Sequence, residues 1–339
     1  MSAGQAGPPA RAPGTERPRV AGAAEPGAAG QWPVPFTLDL PRTLGVHARG
    51  RSDPAYRVDA DGGIWRTSLT PDGPGTVLIQ GGDPPDNPGR REGAAGQVIQ
   101  AWAWGPGASW LLASLPAALG AEDDRAGFDP GHPVLRELST RFQGVRVGRT
   151  GRVLEALVPA VLEQKVVGAE ARRAWRYLLL RFGGPAPGPA PAGMRVPPSA
   201  AAWRRIPSWE WHRAGVEGVR ARTIIGAAEV AGRLEEIVAM SSADADRRLR
   251  ALPGIGPWTS AEVRQRACGD ADAVSVGDYH LAAWVGWALA GRVVDDAGML
   301  ELLAAYPGHR HRAARLVELS GLAPPRRGPR MPVRDYRSF

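Results

Sequence analysis

Apolar and polar positions change their rhythm once along this chain. From about Trp32 to Gly105 the pattern is that of strands. Phe36–Leu40 alternates apolar and polar residues, as a half-buried strand does, and Gly63–Leu69, Thr76–Gln80 and Gln97–Trp104 are further strand candidates. The turn signals Asp61-Gly62 and Asp72-Gly73 precede the second and third of these. Gly81–Glu92 is rich in Pro and Asp and reads as a loop. After Ser109 the apolar spacing becomes helical. Trp110–Leu115, Val134–Phe142 and Val153–Phe182 carry it, the last as two helices broken near Gly168. A Pro/Gly run, Gly183–Pro198, reads as a long irregular loop or linker. Helical spacing returns at Val219–Leu234, Ala243–Ala251, Thr259–Cys268, Tyr279–Ala290 and Arg310–Leu319. Residues 1–30, rich in Ala, Gly and Pro, are expected to be a disordered tail, and residues 321–339 a basic one. The prediction is an α+β chain: a small antiparallel β domain over 31–108, then an all-α domain over 109–320.

Composition narrows the chemistry. The 339 residues carry 42 Lys+Arg against 34 Asp+Glu, a formal net charge of +8. Lys165 is the only lysine, so arginine supplies the rest, and Cys268 is the only cysteine. A single cysteine excludes a disulfide within the chain, a cysteine-ligated zinc site and an iron–sulfur cluster. A guanidinium surplus suits a polyanionic partner, because its fork matches phosphate oxygens. A GC-rich coding bias toward Ala, Gly, Pro and Arg would also produce it. No run of 18 apolar residues occurs, and the first 30 residues lack the apolar core of a signal peptide. No membrane partner is expected, and the cytoplasm is the default compartment.

The strongest local signal is Leu252-Pro-Gly-Ile-Gly-Pro-Trp-Thr259, set between two helical patterns. Two glycines around one apolar residue make a tight hairpin and leave no side chain in the way of an approaching surface. Ile255 is placed to plug the core. The backbone N–H groups of Gly254 to Gly256, and of the helix starting near Thr259, would point outward as an anion site. Contacts of that kind position a duplex without reading its sequence. The plainer reading is a Pro-Gly turn between helices.

Downstream comes Val274-Ser-Val-Gly-Asp-Tyr-His-Leu281, where an apolar stretch ends and a helix is expected to start at Asp278. Asp278 reads equally as an N-cap and as a carboxylate held on a rigid helix start, facing the sugar of a bound nucleotide. Hairpin, spacer and acid together resemble the helix-hairpin-helix DNA glycosylase superfamily, and within it the 3-methyladenine DNA glycosylase II branch. The resemblance covers about residues 31–320. It implies that the all-α domain is a helix-hairpin-helix glycosylase domain and that Asp278 is the catalytic acid. The partner it implies is double-stranded DNA with alkylated bases, bound by a monomer without metal or cofactor and, through the DNA, nucleoid-associated.

Other positions take roles from the same resemblance. Val161-Leu-Glu-Gln-Lys-Val-Val-Gly-Ala169 matches a helix that lines the base pocket, which puts Glu163 and Gln164 there, although such a pair is also what the polar face of a half-buried helix looks like. Val147 matches a wedge that fills the gap left by an extruded nucleotide. Trp258 stands where lyase relatives carry a nucleophilic lysine, and Lys165 lies on another helix. A monofunctional enzyme is implied, one that hydrolyses the base–sugar bond and leaves an abasic site. Trp258 is the expected stacking partner for an electron-poor alkylated base, with Tyr279 beside the acid. His309 falls where the branch often has an aromatic residue and is a candidate for phosphate contact. Two other readings remain: a non-catalytic DNA-binding module, and a glycosylase for deaminated bases.

Overall fold

The computed structural model describes residues 25–82 and 96–325. The tail before residue 25, most of the loop read at Gly81–Glu92 and the basic end beyond residue 325 lie outside the described residues. An antiparallel sheet comes first: β1 (Ala28–Pro33), β2 (Tyr56–Val58), β3 (Ile64–Thr70), β4 (Gly73–Gly82) and β5 (Val98–Trp104), with α1 (Leu40–Leu44) between β1 and β2. The spatial order is β1-β5-β4-β3-β2. Thr70 pairs with Gly73, so Pro71-Asp72 forms a two-residue turn, and Gly73 takes φ +122° there.

The sequence reading errs at the sheet's N-terminal end. Phe36–Leu40 is not a strand. Asp39 caps α1 by accepting the Arg42 N–H at 2.9 Å, and Pro41 suits the first helical turn. The edge strand is instead Ala28–Pro33, so residues 28–30 belong to the sheet and not to a tail. An edge strand pairs on one side only and tolerates small residues and a terminal proline.

One sheet face packs Ile64, Val77, Ile79, Ile99, Ala101 and Ala103 against Leu111, Leu112 and Leu115 of α2 (Ala108–Ala118). Helix α2 therefore shares the core of the sheet, and the expected boundary at 108/109 cuts through that core. The other face presents Trp65, Leu78, Trp102 and Trp104, covered by Met194. That cover comes from the Pro/Gly run, which is a strap across the sheet pinned by the short hairpin of β6 (Gly184–Pro185) and β7 (Arg195–Val196). Gly188 passes so close that a Cβ there would sit 2.2 Å from the Trp104 ring. Burying each large apolar side chain here is worth about 1.5–3 kcal/mol, which explains why a segment so poor in regular structure stays in place.

The remaining chain is helical and has two cores. Helices α4 (Val153–Leu162), α5 (Gly168–Phe182), α6 (Ala200–Arg204), α7 (Ser208–Ala214), α8 (Gly218–Glu229), α9 (Ala231–Glu235), α10 (Ser242–Arg250) and α11 (Pro257–Val263) surround one. The buried central rod is α4. Helix α3 (Pro133–Arg141) crosses to the second core, built with α12 (Leu281–Ala290), α13 (Asp296–Leu303) and α14 (Arg310–Ser320). Two attachments fasten the sheet to the first lobe. Glu155 of α4 accepts from the Ser68 hydroxyl and the Leu69 N–H, both at 2.7 Å, and buried Asp53 accepts from the Trp175 indole at 2.8 Å. Among the described residues no helix is long and apolar enough to cross a membrane.

Candidate active site

The hairpin sits at the edge of the first lobe. Ser241 caps α10 by accepting the Asp244 N–H at 3.2 Å, and Pro257 opens α11. Between them Ile255, 6% exposed, enters the helical core as expected. Gly254 takes φ +87°, and a Cβ there would meet the Thr223 hydroxyl at 2.1 Å, so the hairpin can press onto α8 only with glycine. Gly256 has open space where a side chain would be.

Gln164 ties the hairpin to the turn after α4. Its amide nitrogen donates to the Gly254 carbonyl at 2.9 Å and to the Thr259 hydroxyl at 2.8 Å. This corrects two expectations. The amide nitrogen of Gln164 is committed to holding the hairpin and is not free to read a base. Thr259 as a whole is 2% exposed, so the outward N–H expected at this position is buried.

Asp278 stands across from the hairpin, in the second lobe. It precedes α12, whose first residue is Leu281 and not Asp278. Its Oδ1 accepts from the N–H groups of His280 at 2.8 Å and Leu281 at 3.0 Å, and its Oδ2 accepts from the Trp258 indole at 3.2 Å. The capping reading holds, and the second oxygen of the same carboxylate is held by the indole. A carboxylate has about four lone-pair sites. Three are occupied, which leaves one on Oδ2 to face a substrate.

Trp258 belongs to a longer row. Trp258, Glu262 and Arg266 recur every four residues along α11 and the π-helical turn that continues it, Arg264–Cys268. Glu262 accepts from Ser275 at 2.7 Å with one oxygen and from Arg266 at 2.7 Å with the other. The row therefore bridges twice to the segment that carries Asp278. Arg266 also donates to the Val46 carbonyl of the β domain at 3.2 Å. Turns of this π type recur at functional sites. Cys268 closes it, and burial together with the Asp270 charge pushes the thiol up to about 11, which makes it a poor nucleophile.

Sequence reading found no chemistry in the β domain, yet that domain brings His47, Arg49 and Arg66 into a cleft beside Arg266, the last residue of this row. Burial, then the charges of Arg66, Arg266 and Arg49, hold His47 well below the usual imidazole range. Glu163 pairs with Arg49 at 3.7 Å, so its expected pocket position is at the cleft edge, facing a cation. From α14, burial pushes the Glu318 carboxyl up. Arg315, at 3.1 Å, opposes this, and the charges of Glu262 and Asp278 add to it. The cleft is polar and crowded with opposite charges, and no motif announced it.

Three further expectations need correction. Tyr279 is 83% exposed and lines no closed pocket; it meets His280 edge-on at 4.7 Å, and His280 stacks on Trp284 at 5.1 Å, which makes an open aromatic ledge beside the acid. His309 is buried, with Nε2 on the Ala126 carbonyl at 3.0 Å and Nδ1 accepting from Arg312 at 3.2 Å, so neither nitrogen is available to phosphate. Val147 is half-buried with its N–H on the Asp123 carboxylate at 3.1 Å, and a half-buried valine makes a poor wedge. Lys165 occupies the turn between α4 and α5, one residue from the hairpin's Gln164 anchor. It is exposed at φ +55°, the one non-glycine positive φ among the described residues. Among the described residues no three His, Cys, Asp or Glu side chains group as a metal site requires.

As a sequence, the chain matches no protein-family model and no curated protein. Its backbone has clear counterparts. A 3-methyladenine DNA glycosylase from Archaeoglobus fulgidus superposes with a TM-score of 0.69 at 18% identity, over 85% of this chain and 97% of the other. The 8-oxoguanine glycosylase/lyase of Clostridium acetobutylicum in its apo form gives 0.61 at 11% identity, over 87% of this chain and 97% of that one. The same enzyme in complex with double-stranded DNA containing cytosine opposite 8-oxoguanine gives 0.57 at 12%, over 84% and 93%. The small antiparallel sheet and the two-lobed helical body thus share the fold of solved DNA glycosylases.

Proposed function

We propose that this protein is a monofunctional DNA glycosylase that flips out alkylated bases of the 3-methyladenine type and hydrolyses their bond to the sugar. The observation that carries the reading is the clamped Asp278 carboxylate, fixed by two backbone N–H groups and the Trp258 indole across from a hairpin suited to a DNA backbone. The likeness in fold to solved DNA glycosylases supports it.

The chemistry follows from what such a carboxylate can do. An alkylated purine carries positive charge and leaves readily, so the sugar becomes cationic as the bond breaks. A preorganised anion aimed at C1′ stabilises that cation and orients the attacking water. The free lone pair of Asp278 Oδ2 is the group for both tasks. Extrusion of the base costs a few kcal/mol, less where damage has weakened pairing. The Ile255 N–H is taken by the Leu252 carbonyl at 3.1 Å, so the N–H groups of Gly254 and Gly256 are the ones that would grip the strand through its phosphates. With Trp258 in place of an amine beside the acid, no covalent intermediate forms.

Duplex oligonucleotides carrying 3-methyladenine, 7-methylguanine, hypoxanthine, uracil or 8-oxoguanine test this, with alkali used to reveal abasic sites. Release of the alkylated purines, lost in Asp278→Asn, is expected. Full activity in Asp278→Asn would refute the mechanism. Strand cleavage without alkali, with Lys165 trapped by borohydride, would refute the monofunctional reading. Release of only hypoxanthine and uracil would transfer the protein to deaminated bases.

A further inference from the structure

Helix α5 divides its two faces sharply. Ala171, Ala174, Trp175, Leu178 and Leu179 are buried in the first lobe. The opposite stripe holds Arg172, Arg173, Arg176 and Arg181, with Tyr177 and Leu180 between them. Across from it runs the loop Arg49–Ser52, and the two enclose an open groove of about 630 Å³. Gly50 takes φ +88°, a left-handed backbone that favours glycine, and lies against the Arg172 side chain.

The groove's charge is not neutralised. Arginines elsewhere hold carboxylates: Arg264 takes Asp270, Arg266 takes Glu262 and Arg312 takes buried Asp123. Among the described residues Arg51, Arg172, Arg173, Arg176 and Arg181 have no such partner, and the Arg173 Nε is buried without any acceptor. Arg49 is the exception, paired with Glu163. The acid that Tyr177 reaches, Glu210, also holds Arg213 at 3.6 Å. Five uncompensated guanidinium groups in one concavity repel one another and lower stability, and the repulsion is relieved by an anion with several charges.

We propose that this groove is a second DNA site, a track for the phosphate backbone of the duplex beyond the lesion. It rests on the reading of DNA as the partner. Continuity favours DNA: the groove's helix starts from the turn that carries Lys165 and the Gln164 anchor of the hairpin. Chemistry favours it too, since guanidinium forks fit phosphate oxygens, and Tyr177 with Leu180 offers an apolar floor for sugars.

The test is fluorescence anisotropy of an undamaged duplex across a salt series, with wild type, Arg172→Ala/Arg176→Ala/Arg181→Ala and the matching triple lysine variant. The alanine variant should lower the slope of log K against log salt by about 2–3, at about 0.9 per phosphate, and the lysine variant should keep it. All three positions are exposed and their charges repel one another, so the alanine variant should melt no lower than wild type. Base release at saturating enzyme should also be unchanged, since none of the three is in the catalytic machinery. An unaltered slope overturns the proposal, as does an equal loss in the lysine variant. So does lost affinity for polyglutamate with DNA binding intact, which would assign the groove to an acidic polypeptide. Because undamaged DNA is the probe, a protein that releases no base still reports on the groove.

Discussion

Trp258→Phe isolates one interaction in the proposed reaction. It removes the indole N–H that holds Asp278 Oδ2 at 3.2 Å and keeps an aromatic ring of similar face. Stacking of a flipped base is therefore largely spared. The two backbone donors on Oδ1 remain, so the carboxylate is not lost from the helix start. Hydrogen bonds to charged groups contribute about 1.5–3 kcal/mol; a long, partly buried one belongs at the lower end, about 1–2 kcal/mol. If that energy orients the carboxylate toward the transition state, the single-turnover rate should fall by about 5- to 30-fold, at about 1.4 kcal/mol per decade. Asp278→Asn should cost about 10²-fold or more, as the loss of a preorganised electrostatic group does. The double variant should be no slower than Asp278→Asn alone, because Trp258 acts through the acid. A Trp258→Phe enzyme as fast as wild type, or a double variant slowed by the product of the single effects, would refute this positioning role.

Gln164→Leu removes both bonds that pin the hairpin and should cost about 1–3 kcal/mol of stability, because the buried Thr259 hydroxyl loses its partner. Thermal melting reads that loss, and weaker binding of undamaged duplex should accompany it. Gly254→Ala should destabilise by about 1–3 kcal/mol through its left-handed backbone and its clash with Thr223, and adding Thr223→Ala should recover only the clash. For pH, burial and then the charges of Arg315, Arg266 and Arg312 push His311 down to about 3, from an ordinary 6.5. Between those values the unfolded chain binds the extra proton. Stability is therefore whole above about 6.5 and falls as pH drops through the window, by less than about 1.4 kcal/mol per unit because the ring still touches water. Denaturant titrations at pH 7 and pH 5 should show the drop in wild type, and His311→Gln should reduce it.

Particular residues show why some of this was legible in sequence. The hairpin string was readable because its geometry is local: Gly254 and Gly256 are there for backbone reasons, and Ile255 is the one apolar residue between them. Asp278 was readable as a cap because an acid just before a helix start is a local signal, and in the structure it accepts from the His280 and Leu281 N–H groups. The strands β3 to β5 were legible from alternation and turn residues. The failures share a cause. β1 is built of Ala, Gly and Pro, and only pairing with β5 makes it a strand. The strap over Trp104 holds by burial against residues some 80 positions earlier, which no window along the chain can register. His309 was misplaced because a ring with both nitrogens taken by Ala126 and Arg312 has the same sequence signature as a free one. The face of Trp258, Glu262 and Arg266 could have been found from four-residue spacing alone, had the polar positions of that helix been read as a face and not as solvent.

The β domain belongs to the site physically, and a continuous set of contacts says how. The Val46 carbonyl receives Arg266; Arg266 holds Glu262; Glu262 receives Ser275, three residues before Asp278. Each of these is a charged or charge-assisted bond in a half-buried cleft, where the low dielectric strengthens a satisfied network and penalises a broken one. The loop from the sheet thus bears on the same segment that positions the acid, while Arg49 from that loop brings the cation that faces Glu163. A helical domain alone would keep the hairpin and Asp278. It would lose the partner of Glu163 and the carbonyl that accepts from Arg266 Nε, leaving Glu163 without its cation and Arg266 held by Glu262 alone. That cost explains why the small sheet is fastened so firmly, through Glu155 to Ser68 and Leu69 and through Asp53 to Trp175: its loops can fix the cleft only if the sheet itself does not shift.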